Sequence, residues 1–368
     1  MKRNMKEWIE GLKAEDCKRP MPILSFPCIS LLGVTVKELI SDSDLQAKGM
    51  LMVAERTNSA ASVSFMDLSV EAECFGAVIS VSDSEVPTVR GRIINDMADA
   101  EALTVPKIGA GRTQIYIDAI KKATEMITDR PILAGMIGPF SLAARLFDVS
   151  EVMIDCYDEP EMVHLVLDKA TEFLINYAKA YKEAGANGVM IAEPVAGLLS
   201  PMLEKEFSAP YVKRLVDEVQ DEEFVVIYHN CGNNVPDMLD SILTTGSAAY
   251  HFGNAIDMSA ILSKLPEDVL VMGNVDPAGV LLMGMGGIKQ IRNKGIFDVM
   301  GYGISSALHT AIPFTRPAEQ LGQREERFED YQARKSENRK PAGDLLVSGA
   351  IFLGLAFVML AIYLATEG

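Results

Sequence analysis

Val225-Val226-Ile227-Tyr228-His229-Asn230-Cys231-Gly232-Asn233 is an apolar, β-favouring run that ends in a His-x-Cys pair and a glycine. It reads as a buried strand whose C-terminal tip carries an imidazole and a thiol. Residues two apart on a strand point to the same side, so His229 and Cys231 can converge on one ion. Zinc takes neutral imidazole and thiolate ligands at about 2.0–2.3 Å. The same pair also reads as a partly buried histidine beside an inert cysteine, and the spacing alone leaves both readings open.

Outward from this strand, apolar runs and helical periods alternate. Strand candidates begin near Met21, Ser62, Pro131, Gly188, Phe224, Ala248 and Val269, with a weaker one near Phe297. Helical spacing covers Asp44 to Asn58, Thr113 to Thr128, Glu159 to Ala184, Lys205 to Val219, Val235 to Leu243 and Met258 to Leu265. Short connections between the two kinds of element predict parallel βαβ units. Several strands are apolar throughout, as expected when both faces are covered. About eight such alternations favour a (β/α)8 TIM barrel over residues 1–310 rather than an open sheet. Polar residues gather at the strand C-termini: Asp67, Glu193, His229, Cys231, His251, Asn274 and Asp276. That end of a barrel carries the active site.

A chain of 368 residues is long enough for one large core or two ordinary domains. The net charge of −17 and pI near 4.8 argue against a nucleic-acid partner, which needs a basic face. No glycine-rich phosphate loop stands at a strand–helix turn. Five cysteines without framework spacing point to a reducing, cytoplasmic setting. Met1 to Lys6 is basic but leads into Glu7-Trp8-Ile9-Glu10, so no secretory signal is expected.

Six segments together resemble the uroporphyrinogen decarboxylase superfamily, and within it the methylcobamide:coenzyme M methyltransferase branch. They are Phe65-Met66-Asp67-Leu68-Ser69-Val70-Glu71-Ala72-Glu73, Gly135-Met136-Ile137-Gly138-Pro139-Phe140-Ser141-Leu142-Ala143, Ile191-Ala192-Glu193-Pro194-Val195-Ala196, His229-Asn230-Cys231-Gly232-Asn233, Tyr250-His251-Phe252-Gly253-Asn254-Ala255-Ile256-Asp257 and Met272-Gly273-Asn274-Val275-Asp276-Pro277. The resemblance implies a TIM barrel and a zinc site of the form His-x-Cys with a distant second cysteine. It implies a small thiol acceptor, coenzyme M, and a methylated corrinoid (methylcobamide) carried by a partner protein. Zinc deprotonates a coordinated thiol, which by itself has a pKa of about 8.5 and is a poor nucleophile at neutral pH. A decarboxylase of the same family needs several arginines for its substrate's carboxylates, and Arg19 is the only one in 19–27. Decarboxylation is therefore the second reading, and a degenerate corrinoid-binding scaffold without activity is a third. Glu193 either closes its strand or lines the pocket, Asp67 either caps the following helix or serves catalysis, and His251 reads as structural. Glu71 and Glu73 read as ordinary acids of a first helical turn.

The expected second cysteine is missing: none follows Cys231. Two accounts stay open, a change of reading frame in the gene or a divergent terminus in which His309 is the third ligand. Two strong ligands with a carboxylate predict weaker zinc binding than three. A charged polar stretch, 311–344, replaces the last barrel helix. Residues 345–365 carry no formal charge and would span about 31 Å as a helix, enough for a bilayer core. Arg334, Lys335, Arg339 and Lys340 precede that stretch, which places the barrel on the cytoplasmic side of a possible membrane contact.

Overall fold

The computed structural model describes residues 3–16, 19–23, 26–266 and 269–274. Within these, the strands are β1 (Ser62–Val63), β2 (Val78–Ser80), β3 (Thr88–Arg90), β4 (Ile132–Ile137), β5 (Gly188–Ala192), β6 (Val225–Asn230), β7 (Ala249–Phe252) and β8 (Leu270–Met272). Six of them form one sheet in the order β1-β4-β5-β6-β7-β8. Every neighbouring pair is parallel. Helices connect the strands, as a parallel ladder requires. The remaining two strands make a small antiparallel pair, Val78–Ser80 with Thr88–Arg90, which the sequence pattern did not predict.

The sheet curls, and alternation along each strand sorts its side chains onto two surfaces. Val63, Leu133, Met190, Val225, Ile227, Ala249, Leu270 and Met272 form one buried cluster on the inner surface. Ile132, Ile191, Val226, Tyr228, Tyr250 and Val271 join the larger cluster on the helical side. Helix Met5–Ala14 places Met5, Ile9 and Leu12 on the inner cluster. Their spacing puts all three on one helical stripe. Asn4 caps that helix by accepting from the Glu7 N–H at 3.0 Å, and the Met5 N–H donates to the Glu222 carbonyl. Each of these buried side chains contributes about 1.5–3 kcal/mol of apolar burial.

The parallel α/β order predicted from the sequence is present, with two corrections. The run from Met21 is not a strand: residues 21–23 have no regular structure and Phe26–Cys28 is a 3-10 turn. Pro22 and Pro27 lack the N–H that a ladder needs, so burying Met21 did not bring strand pairing with it. The long helical stretch from Lys205 is two helices, Pro201–Phe207 and Ala209–Val219, meeting at Ser208. The strand candidate near Phe297, the polar stretch 311–344 and the apolar stretch 345–365 lie outside the described residues. Among the described residues no helix is long and apolar enough to cross a membrane.

Register then fixes the row of residues that matters most. Ala192 pairs with His229, His229 with His251, and His251 with Met272. The two imidazoles therefore stand side by side at the C-terminal ends of β6 and β7, in step with Val225 and Ile227 on the inner surface.

Candidate functional site

His229 is the fifth residue of β6 and is partly exposed, whereas the four residues before it are buried. Its Nδ1 lies 3.2 Å from the His251 carbonyl oxygen. A carbonyl can only accept, so Nδ1 carries the proton and the lone pair is on Nε2. Metal-binding histidines are held in this way, with the second ring nitrogen donating to a carbonyl or carboxylate. Burial lowers the His229 pKa, against the hydrogen bond to His251, so the ring is held neutral. A neutral ring is the form that ligates. Cys231 follows at the strand tip as an exposed free thiol.

The His251 ring stacks on His229 with centroids 4.6 Å apart and planes at 26°. It is only 8% exposed, and its Nδ1 has no hydrogen-bond partner. Burial pushes its pKa down to about 3, with His229 adding to the effect and the Gly273 backbone opposing it. The sequence reading as a structural residue missed this pairing, because the register of β7 against β6 is not encoded in either strand alone.

Glu193 lies one residue beyond β5, fully buried. Its Oε1 accepts from the Phe140 N–H at 3.0 Å, and its Oε2 from the Ser141 N–H at 2.9 Å and the Ser141 hydroxyl at 2.7 Å. The carboxylate thus caps helix Pro139–Phe147, whose first N–H groups are otherwise without partners. Burial pushes its pKa up to about 7 despite the three donors. A side chain on Gly138 would collide with it, so that glycine makes room for the cap. No described hydrogen bond joins this carboxylate to His229 or Cys231.

Asp67, also buried, accepts at Oδ1 from the Ser69 N–H (3.1 Å) and hydroxyl (2.6 Å). Its Oδ2 accepts from the Tyr116 hydroxyl at 2.8 Å and from the Arg112 guanidinium. Arg112 continues to Glu73 at 2.7 Å and to the Ser69 hydroxyl at 2.9 Å. Glu71 is not an ordinary first-turn acid: it is buried and accepts at Oε1 from the Ile137 N–H at the end of β4, while Oε2 has no partner. Burial pushes it up to about 7. Arg112 and Tyr116 escaped the sequence reading because they come from helix Thr113–Met126 and its N-cap, more than forty residues from Asp67.

The structure therefore brings His229, Cys231 and His251 to one end of the sheet and sets Glu193 and Asp67 in separate buried networks. Among the described residues no three His, Cys, Asp or Glu side chains are placed to hold one metal ion. His309, the third ligand considered from the sequence, lies outside the described residues. The donor chemistry of His229 and Cys231 nevertheless fits zinc, with one neutral imidazole and one thiol on the same strand tip.

Residues 27–318 match the family model described as uroporphyrinogen decarboxylase (URO-D). The chain belongs to the uroporphyrinogen decarboxylase family. Over 244 residues it is 30% identical to the methylcobamide:CoM methyltransferase MtbA of Methanosarcina acetivorans, covering 65% of this chain and 71% of that protein. A uroporphyrinogen decarboxylase of Myxococcus xanthus is 29% identical over 259 residues, 68% of this chain and 72% of its own. A solved structure described as a methyltransferase from Methanosarcina mazei superposes with a TM-score of 0.64 at 26% identity, covering 73% of this chain and 81% of that one. The family thus contains both of the activities between which the site has to decide.

Proposed function

We propose that this chain is a zinc-dependent methyltransferase that moves a methyl group from a methylated corrinoid protein to a small thiol, with coenzyme M the acceptor implied by its relatives. The observation that carries the reading is the tip of β6, where Cys231 is exposed and His229 holds its Nδ1 proton on the His251 carbonyl. His229 and Cys231 are the two described residues that would hold the metal. Bound zinc supplies acidity, converting the acceptor thiol to a thiolate at neutral pH. In the transfer a sulfur–carbon bond forms and the carbon–cobalt bond breaks, its electron pair staying on cobalt. The acceptor's proton passes to solvent. No acid or base need act on the methyl carbon, so the protein's work is to orient the thiolate and exclude competing groups.

In this reading Glu193 and Asp67 support the fold around the site and do not touch the reacting atoms. Each carboxylate is saturated by three or four donors, and Asp67 is ion-paired with Arg112. The stretch 19–27 also speaks against decarboxylation, because Arg19 is engaged by both carboxylate oxygens of Glu15. A polycarboxylate substrate would find no free arginine there. The TIM barrel that the family implies belongs to the same proposal.

The test is methyl transfer from methylcobalamin to 2-mercaptoethanesulfonate by the zinc-loaded chain. Thioether formation that is slow, metal-dependent and lost in Cys231→Ser is expected. Release of carbon dioxide from uroporphyrinogen by metal-free protein would overturn the reading in favour of the decarboxylase. Neither activity, with a corrinoid protein still bound, would favour the scaffold.

A further inference from the structure

The backbone next to Cys231 is closely packed, and three glycines beyond three successive strands make that packing possible. Gly197 follows β5, Gly232 follows β6 and Gly253 follows β7. A Cβ built on Gly197 would stand 2.6 Å from the Gly232 Cα and 2.9 Å from its nitrogen. One on Gly232 would stand 2.6 Å from the Gly197 carbonyl carbon. One on Gly253 would stand 2.8 Å from the Cys231 carbonyl oxygen and 2.9 Å from its Cα. Gly253 therefore packs on Cys231 itself, and Gly197 packs on the next residue, Gly232, backbone against backbone. A flexible side chain could rotate out of such a collision, but a main chain cannot.

A fourth residue holds the turn from below. Asn230 is fully buried between the two candidate ligands in sequence, and its side chain faces away from both. Its Oδ1 accepts from the Gly232 N–H at 2.9 Å, and its Nδ2 donates to the Tyr228 hydroxyl at 3.0 Å. The direction of the chain after Cys231 is thus set by one amide with both ends satisfied.

We propose that Gly197, Gly232, Gly253 and Asn230 are positioning residues that set the Cys231 sulfur at metal-bonding distance from the point reached by His229 Nε2. The proposal rests on the reading of His229 and Cys231 as metal ligands and extends it to residues that touch no metal. Metal–ligand distances tolerate about 0.2 Å of error. Raising a 2.8 Å contact to the ordinary range, which starts at 3.4 Å, moves the Cys231 backbone or Gly253 by at least about 0.6 Å. That exceeds the tolerance threefold.

The experiment is a Co2+ titration of the full chain, followed by the thiolate-to-metal charge-transfer band and, in parallel, by thermal unfolding. Gly197→Ala and Gly253→Ala should weaken Co2+ binding about 10–100-fold, as loss of residues that orient metal ligands does. Gly188→Ala is the control: its Cβ would collide with Val225 at the opposite end of β5 and β6, 2.9 Å from Cγ2. It should lower thermal stability and leave Co2+ affinity within about threefold of the parent. Asn230→Ala should behave like the two loop variants, and Asn230→Asp, which keeps the acceptor for the Gly232 N–H, should restore most of the affinity. A parent that shows the band, with both loop glycine variants binding as tightly as it does, would overturn the clamp and leave the ligand pair standing. A parent without the band, or with a band that survives Cys231→Ser, would overturn the ligand pair and the clamp with it.

Discussion

Asp67→Asn removes the charge at the centre of a buried polar network that joins Ser69, Arg112 and Tyr116. The guanidinium of Arg112 has a side chain only 12% exposed, and the Asp67 side chain is 0% exposed. An amide keeps one oxygen for the Ser69 donors but turns its second group into a donor. That donor faces the Tyr116 hydroxyl, 2.8 Å away, and the Arg112 guanidinium. Breaking a buried ion pair from one side costs about 3–5 kcal/mol, most of it from the partner charge left without compensation. Glu73, already 2.7 Å from Arg112, offsets part of this, which places the expected loss at the low end, about 3 kcal/mol. Urea unfolding followed by circular dichroism reads the loss directly. Arg112→Gln in the same background should cost less than it does alone, because the stranded charge is then gone. A loss below about 1 kcal/mol for Asp67→Asn, or strict additivity in the double variant, would refute the account of the network. Co2+ affinity should stay near the parent value in Asp67→Asn, since no described contact joins Asp67 to His229 or Cys231.

Glu204 is buried with neither carboxylate oxygen hydrogen-bonded, although Ser241 lies close enough to lower its pKa, and burial pushes it up to about 7. Its folded pKa is raised above the unfolded value near 4.5, so its stabilising contribution is present below about 4.5 and lost as pH rises through 7. The thermal midpoint of the parent should therefore fall between pH 6 and pH 8, and fall less in Glu204→Gln; equal slopes would contradict the buried-acid account. Among the described cysteines, burial pushes Cys28 up to about 11 and Cys74 and Cys156 up to about 12, while Cys231 is exposed. Iodoacetamide at pH 7.5 should therefore label Cys231 before these three, and added Zn2+ should slow that labelling several-fold, as read by peptide mass spectrometry.

Alternating apolar runs and helical periods were enough to place β1, β4, β5, β6, β7 and β8 in a parallel α/β fold, because a strand buried on both faces has to be apolar throughout. The His-x-Cys tip was legible for a similarly local reason: two residues on one strand share a face whatever surrounds them. Tertiary structure alone decided the rest. It set His251 against His229 through the β6–β7 register, and it set the Glu193 carboxylate on the first N–H groups of helix Pro139–Phe147. It also joined Asp67 to Arg112 and Tyr116 across a sequence gap of more than forty residues. Glycines such as Gly197 and Gly253 look like ordinary loop residues in one dimension, and only the approach of a second backbone shows what they exclude. Local periodicity reports which way a side chain faces, but partners distant in sequence are selected by packing, which no single segment contains.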